Sequence, residues 1–307
     1  MSTALAFVET PERQAQHSAS LPDLVANVEK AARFARQHAV AAIFHAGSGH
    51  PGGVLSSADL IASLFGAELN FWPDSIAAKD RDRFVLSKGH AAPMLYAVAS
   101  FYGFCKSREA LRLRKLGSPF QGHPHVGDLP WVETSTGSLG QGFSVALGMA
   151  MGLRMQQRSA RVYTLLGDGE MQEGEVWEAA MCAAHYRLDN LCVLIDYNKL
   201  QSDDRNSAIM AIEPLAAKWR AFEWAVAEID GHDVHAILKT LQRASATHGR
   251  PSVIIAHTVK GKGVPYMENI PQWHGSVKLT PAQAEDALQA LGASEHEIRE
   301  WLDGSDL

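Results

Sequence analysis

From Asp82 onward the chain alternates short apolar, β-favouring runs with helical stretches. The strand-like runs are "DRFVLS", "RVYTLLG", "NLCVLIDYN", "EWAVAEID" and "PSVIIAHTV". Between them lie "KGHAAPMLYAVASFYG", "GQGFSVALGMAMGLRMQQ", "EGEVWEAAMCAAHYRL", "EPLAAKWRAF" and "HDVHAILKTLQRAS", all helical in pattern. Near-continuous apolar runs, without in–out alternation, fit strands covered on both faces, as in a parallel sheet. The alternation predicts a three-layer α/β/α fold with a mainly parallel sheet and right-handed crossovers.

Two helical segments precede this pattern. "LVANVEKAARFARQHAVAAIFHA" stops at "GSGHPGG", where glycine and proline end a helix, and "SADLIASLFGAEL" comes next with Ser57 as its cap. Near the C-terminus, "TPAQAEDALQAL" has Thr280 as cap, Pro281 in the first turn and Gln283 closing a capping box. There is no internal repeat or low-complexity linker. The expected organisation is a disordered tail over residues 1–20, one domain over 21–278, and a helix with a tail over 279–307.

Composition narrows the function. Net charge is −6, from 28 basic and 34 acidic residues with no long basic run, which argues against a nucleic-acid surface or an anionic-membrane anchor. No apolar stretch approaches the ~20 residues of a membrane span, and the N-terminus lacks a secretory pattern. Cys105, Cys182 and Cys192 form no CxxC pair and read as apolar fillers in a reducing cytoplasm. The 14 histidines are unusual because several sit beside glycines.

In "LLGDGEMQEG", Asp168 stands between two glycines where a strand-like run stops. Asn198 ends the next such run, and the helix between them is the crossover of one βαβ unit. Both side chains should therefore emerge at the carboxyl edge of one sheet, where open α/β folds bind ligands. Aspartate, asparagine and a backbone carbonyl supply the hard oxygens that Mg²⁺ prefers, with substrate phosphates and water completing its shell. The glycines let backbone approach a phosphate closely.

A GDG followed about thirty residues later by asparagine resembles the signature of thiamine-diphosphate enzymes. "AGSGHPGG", "DRFVLSKGHAAPMLYA", "FQGHP", "STGSLGQG", "GDGEMQEGEVWEAA", "LDNLCVLIDYNKLQ", "KWRAFEWAV" and "VKGKGV" followed by "WHG" together resemble transketolase, in order, over roughly residues 25 to 278. The resemblance implies thiamine diphosphate as cofactor, with Mg²⁺ or another divalent cation such as Ca²⁺ or Mn²⁺. By residue matching, Asp168, Asn198 and the backbone oxygen of Leu200 are its metal ligands, and Gly169 lies along the diphosphate. Gly137, Ser138 and Leu139 line the aminopyrimidine and thiazolium, and Lys260 resembles a lysine that reaches the cofactor. An ordinary surface lysine is the other reading of Lys260.

Four histidines fall on family positions: His50, His90, His123 and His274. In the family's reaction a ketose is cleaved beside its carbonyl, and a two-carbon ketol unit passes to an aldehyde. Imidazole, with an ordinary pKa of ~6.5, can move protons to and from the oxygens involved. His50 and His274 are expected to contact the donor's hydroxyls and carbonyl. His90 and His123 are expected to hold the diphosphate end and donor oxygens, with His274 also touching cofactor. His45, His185, His232, His235 and His257 read as packing or capping groups.

Glu173 and Glu178 open the helix after GDG, where a helix dipole favours carboxylates in any case. In the family the matching glutamates lie at the subunit interface, and Glu173 is the better functional candidate. The glutamate that activates the cofactor belongs to a pyrimidine-binding domain that this sequence does not contain. The resemblance thus implies the N-terminal subunit of a split transketolase, acting on sugar phosphates and active only with a C-terminal partner subunit that carries that domain. The expected assembly has two copies of each chain.

Three rival readings compete with this one. The alpha chain of a 2-oxo acid dehydrogenase would share the Asp168–Asn198 clamp but does not call for this histidine set. A metal-dependent hydrolase could use the HxH of His123 and His125, which comes after no strand-like run and has no evident third ligand. A non-catalytic cofactor-binding protein would not need all four histidines.

Overall fold

A computed structural model describes residues 19–305 and residue 307. The tail expected over residues 1–20 lies, up to residue 18, outside the described residues. The principal helices and strands run α1 (Leu21–Ala46), α2 (Pro51–Ser56), α3 (Ala58–Ser63), β1 (Arg83–Leu86), α4 (Ala92–Phe101) and α5 (Gln141–Met155). They continue as β2 (Val162–Gly167), α6 (Gly174–His185), β3 (Leu191–Tyr197), α7 (Leu215–Ala221), β4 (Ala225–Asp230) and α8 (Val234–Ser245). The last are β5 (Ser252–His257), α9 (Pro281–Ala290) and α10 (Glu295–Leu302). The five strands form one parallel sheet in the order β1-β2-β3-β5-β4, as the alternation predicted.

Period-two side-chain alternation splits the strands between two cores. Tyr163, Leu165, Cys192 and Leu194 pack on one face with α1, α3, α4 and α8. Val162, Leu166, Val193 and Ile195 pack on the other with α5, α6 and α7. Each face is apolar because each is covered by helices, which is why the central strands read as unbroken apolar runs. β4 departs from that expectation. It pairs only with β5 and leaves Glu228 and Asp230 exposed, because an edge strand has one neighbour and wet flanks. No helix among the described residues is long and apolar enough to cross a membrane.

Two local expectations need correction. Pro51 does not merely stop α1; Gly47 ends it in the left-handed conformation and Pro51 occupies the first turn of α2. Ser57 then lies in right-handed helical backbone and caps nothing; its hydroxyl donates to the carbonyl of Gly53 (2.6 Å) and to Asp196 Oδ2 (3.3 Å). At the C-terminus, the capping box of α9 forms as read, with Thr280 Oγ1 accepting from Gln283 N–H (3.2 Å). Beyond α9 the chain forms a second helix where a tail was expected. Ser294 and Glu297 give α10 its own capping box, and Trp301 sets its ring edge against Phe34 at 5.6 Å.

The register positions the site. Gly167 pairs with Asp196, so the next residues, Asp168 and then Asn198, leave neighbouring strand tips on the same edge. The chain crosses between them through α6. Trp219 of α7 is fully buried in the second core, 4.8 Å from the Trp224 ring and 5.4 Å from Trp177. Trp219→Ala should cost ~3–5 kcal/mol in urea unfolding, whereas Trp219→Phe should cost much less, because the indole N–H has no hydrogen-bond partner to lose.

Candidate active site

A cavity of about 360 Å³ opens at the carboxyl ends of β1, β2, β3 and β5. On its β2–β3 side, Asp168 is buried, its carboxylate accepting from the Gly169 amide (2.8 Å) and from the Lys199 amide. Asn198 is buried beside it, its Oδ1 accepting from the Leu200 amide at 3.1 Å. Burial, and then the nearby charge of Asp196, push the Asp168 carboxyl up to about 7. A buried carboxylate so disfavoured, beside an amide and a carbonyl oxygen, suits a hard divalent cation that offsets the charge. The Leu200 carbonyl accepts from Lys260 Nζ (2.8 Å), so a cation there must share or displace that ammonium. Glycines hold the space open. A Cβ on Gly137 would stand 3.0 Å from the His123 ring, and one on Gly53 would stand 3.2 Å from His90 Nε2.

The four histidines gather in the same cavity. His50 lies 5.4 Å from His90, 6.3 Å from His123 and 6.1 Å from His274 between ring centroids. All four are less basic than free imidazole. Burial, then Arg114 and neighbouring cations, bring His50 down to about 4; burial, then Lys260, bring His274 down to about 3. His90 and His123 are lowered by burial in the same way. Lys260 Nζ donates to His274 Nδ1 at 2.6 Å, so the neutral ring carries its proton on Nε2 and offers it as a donor. Lys260 is only 1% exposed, which rules out the surface-lysine reading; burial and the Lys88 charge lower it to about 8.

His90, Gly137, Leu139, Gly169, Glu173 and Leu200 also line the cavity; Glu173 is exposed at its rim, at the start of α6. Ser138 does not line it and is exposed. His123 and His125 part company: His123 lines the cavity, whereas His125 is exposed and paired with Asp128 at 3.1 Å. Among the described residues no cluster of three His, Cys, Asp or Glu side chains could hold a metal, so the HxH reading lacks its site.

Residues 28–300 match the family described as "Transketolase, thiamine diphosphate binding domain". The chain belongs to the transketolase family. It is 39% identical over 256 residues to one subunit of the apulose-4-phosphate transketolase of Phocaeicola vulgatus, covering 83% of this chain and 90% of that one. It is 40% identical over 245 residues to one subunit of a 6-deoxy-6-sulfo-D-fructose transketolase from a Clostridium species, covering 80% and 89%. Transketolase from Leishmania mexicana superposes with a TM-score of 0.81 at 28% identity, covering 90% of this chain and 44% of that one. The chain thus spans less than half the length of that solved transketolase. The domain that the transketolase family shares here is one that binds thiamine diphosphate.

Sequence reasoning missed three groups of this transketolase domain. Lys88 and Asp196 form a buried ion pair; Asp196 also accepts from Ser56 Oγ (2.6 Å) and from Thr258, and Lys88 donates to the Gly53 carbonyl at 2.9 Å. An aspartate inside "LCVLIDYN" was the available signal, because a charge on a buried strand needs a partner. Glu170, two residues after Asp168, is 1% exposed and holds three donors. His232, read as a packing group, donates from Nδ1 to Asp59 (2.7 Å) and accepts the Val259 amide on Nε2 (2.8 Å), fixing the turn before Lys260. Arg36 grips both oxygens of Asp59 as well.

The lowered histidines set a pH dependence. Between their ordinary 6.5 and the native values near 4 and 3, the unfolded chain binds protons that the native chain does not. Their contribution is therefore complete above 6.5 and is lost as pH falls through that window. Asp168 runs the other way, losing its contribution as pH rises through about 7, so a difference measurement is needed. The unfolding free energy of the wild-type chain minus that of a His50→Asn, His274→Asn double variant should decrease as pH is lowered from 7 toward 4.5. A difference that stays constant would show that these rings titrate alike when folded and unfolded.

Proposed function

We propose that this chain is the N-terminal subunit of a two-chain transketolase, transferring a two-carbon ketol unit from a ketose (phosphate) to an aldose (phosphate). One observation carries the reading: the hard oxygens of Asp168, Asn198 and Leu200 line the same cavity as a cluster of four histidines, and Lys260 Nζ bridges the two groups, donating to the Leu200 carbonyl and to His274 Nδ1. Asp168, Asn198 and the Leu200 carbonyl would hold Mg²⁺ or a similar divalent cation, and Gly169 would approach the diphosphate. Gly137 and Leu139, which line the cavity, would face the rings of thiamine diphosphate, and Ser138 would reach them only at a face that a partner completes. That cofactor, when bound, supplies the electron sink for carbon–carbon cleavage, and the protein supplies position and proton traffic.

His50 and His274 bind the donor's oxygens. The proton that Lys260 keeps on His274 Nε2 makes that ring a donor to a carbonyl or developing alkoxide oxygen. His90 and His123 hold the diphosphate end and the donor's remaining oxygens. Lys260 and Lys88 bring buried positive charge to the cavity where a diphosphate would sit, and an anion there would offset the charges that now depress the imidazoles.

Glu173, exposed at the rim, would meet the partner's activating glutamate, and its exposure and that of Ser138 support a surface that a partner completes. Relatives of matching extent named as subunits support the need for such a partner. In this reading the partner brings the pyrimidine-binding domain, and the assembly holds two copies of each chain. Their names point to a sugar phosphate and a sulfo sugar, so the role is either general pentose-phosphate metabolism or a specialised sugar pathway. The reading puts the enzyme in the cytoplasm, in keeping with three free thiols.

The test is reconstitution. The pure chain should show no ketol transfer, whereas the chain assembled with its partner should transfer ketol units from a ketose and not decarboxylate 2-oxo acids. Asp168→Asn should abolish metal-dependent cofactor uptake in calorimetry. Robust transfer by the chain alone, or 2-oxo acid turnover by the complex, would overturn the proposal.

A further inference from the structure

The Glu170 side chain is buried at the junction of three backbone segments. Its Oε1 accepts the Gly140 amide at 2.9 Å and the Ser87 hydroxyl; its Oε2 accepts the Gly167 amide at 3.0 Å. Ser87 comes directly after β1, Gly167 ends β2 one residue before Asp168, and Gly140 caps α5 with φ of 87° after the loop that carries Gly137 and Leu139. One carboxylate thereby ties the loop that lines one part of the cavity to the strand tip that bears Asp168 at another. The loop has a second tether to β1, the Thr136 hydroxyl donating to the Leu86 carbonyl at 2.7 Å.

We infer that Glu170 is a positioning residue that holds the 137–140 loop in register with the Asp168 strand tip, so that one ligand can be gripped at both places. This rests on the cavity's reading as a thiamine-diphosphate site. The side chain must be an acceptor at both oxygens. Two of its three partners are backbone amides, which can only donate, and they approach different oxygens. A carboxylate at the cap residue of a 15-residue helix is also favoured by the helix dipole. Glutamine has the same shape but turns an –NH₂ toward one of the two amides in either orientation. That leaves a buried N–H facing a donor, and the loop must shift to relieve it.

The experiment uses the assembled two-chain enzyme and Glu170→Gln, with Ser87→Ala as a milder variant that removes one donor and leaves both amides held. Dissociation constants for thiamine diphosphate with Mg²⁺ are measured by calorimetry, alongside kcat at saturating cofactor and the melting temperature of cofactor-free protein. Glu170→Gln should weaken cofactor binding about tenfold or more and change saturated kcat far less, and Ser87→Ala should shift binding the same way by a smaller factor. Unchanged cofactor affinity in both variants, including a lower melting temperature with no change in affinity, would overturn the inference. If Glu170→Gln yields no folded protein, the Ser87→Ala affinity alone decides. Failure of the wild-type complex to bind thiamine diphosphate would instead sink the cofactor reading itself, so the two failures are distinguishable.

Discussion

The buried pair of Lys88 and Asp196 is the interaction around which this domain is arranged. Burial works against the Asp196 charge, yet Lys88 beside it, with the Ser56 and Thr258 hydroxyls, holds the carboxyl below its ordinary range. These contacts join the tip of β1, the interior of β3, the turn after β5 and the helix formed by "PGGVLS". Two charges taken out of water gain little net stability as a pair, but losing either partner leaves the other uncompensated at a cost of ~3–5 kcal/mol. The pair therefore acts as a constraint on geometry: the four segments that frame the cavity meet in one way.

The electrostatic character of the site derives from that arrangement. Two buried ammonium groups, Lys88 and Lys260, lie near imidazoles that are themselves largely removed from water. Both effects favour neutral rings, and both prepare the cavity for an anion. In the same cavity, Asp168 is raised by burial and by Asp196, which prepares the β2 tip for a cation. A ligand with a metal-bound anionic tail and a neutral, oxygen-rich reacting end meets complementary charge at each place. The His232–Asp59–Arg36 chain serves the same end at one remove, since it pins the Val259 amide next to Lys260.

How much of this could be read from sequence depends on the kind of information. The strands β2, β3 and β5 were legible because burial on both faces leaves an unbroken apolar run. β4 was legible as a strand but not as an edge, since its burial depends on which strand sits beside it. The capping box at Thr280 was visible as a local pattern that needs no tertiary partner. Ser57 was misread because a serine before an apolar run has the same local pattern whether its hydroxyl turns to its own helix or to a distant carboxylate. α10 went unread because its amphipathic face has meaning only against α1, where Trp301 meets Phe34.

By itself, then, the sequence determined the alternation of elements, the parallel sheet and the family resemblance, and it nominated residues for a metal, a diphosphate and a sugar. These are encoded locally, in periodicity and in short motifs whose side-chain chemistry is independent of distant contacts. Only the tertiary structure decided that Lys260 is buried against His274 and that His123 and His125 diverge. It alone brought Lys88 and Glu170 into the wall of the cavity and Asp196 into its pair with Lys88. Each of those outcomes depends on which residues far apart in the chain come to share a volume from which water is excluded, and it is there that charges and hydrogen bonds become decisive.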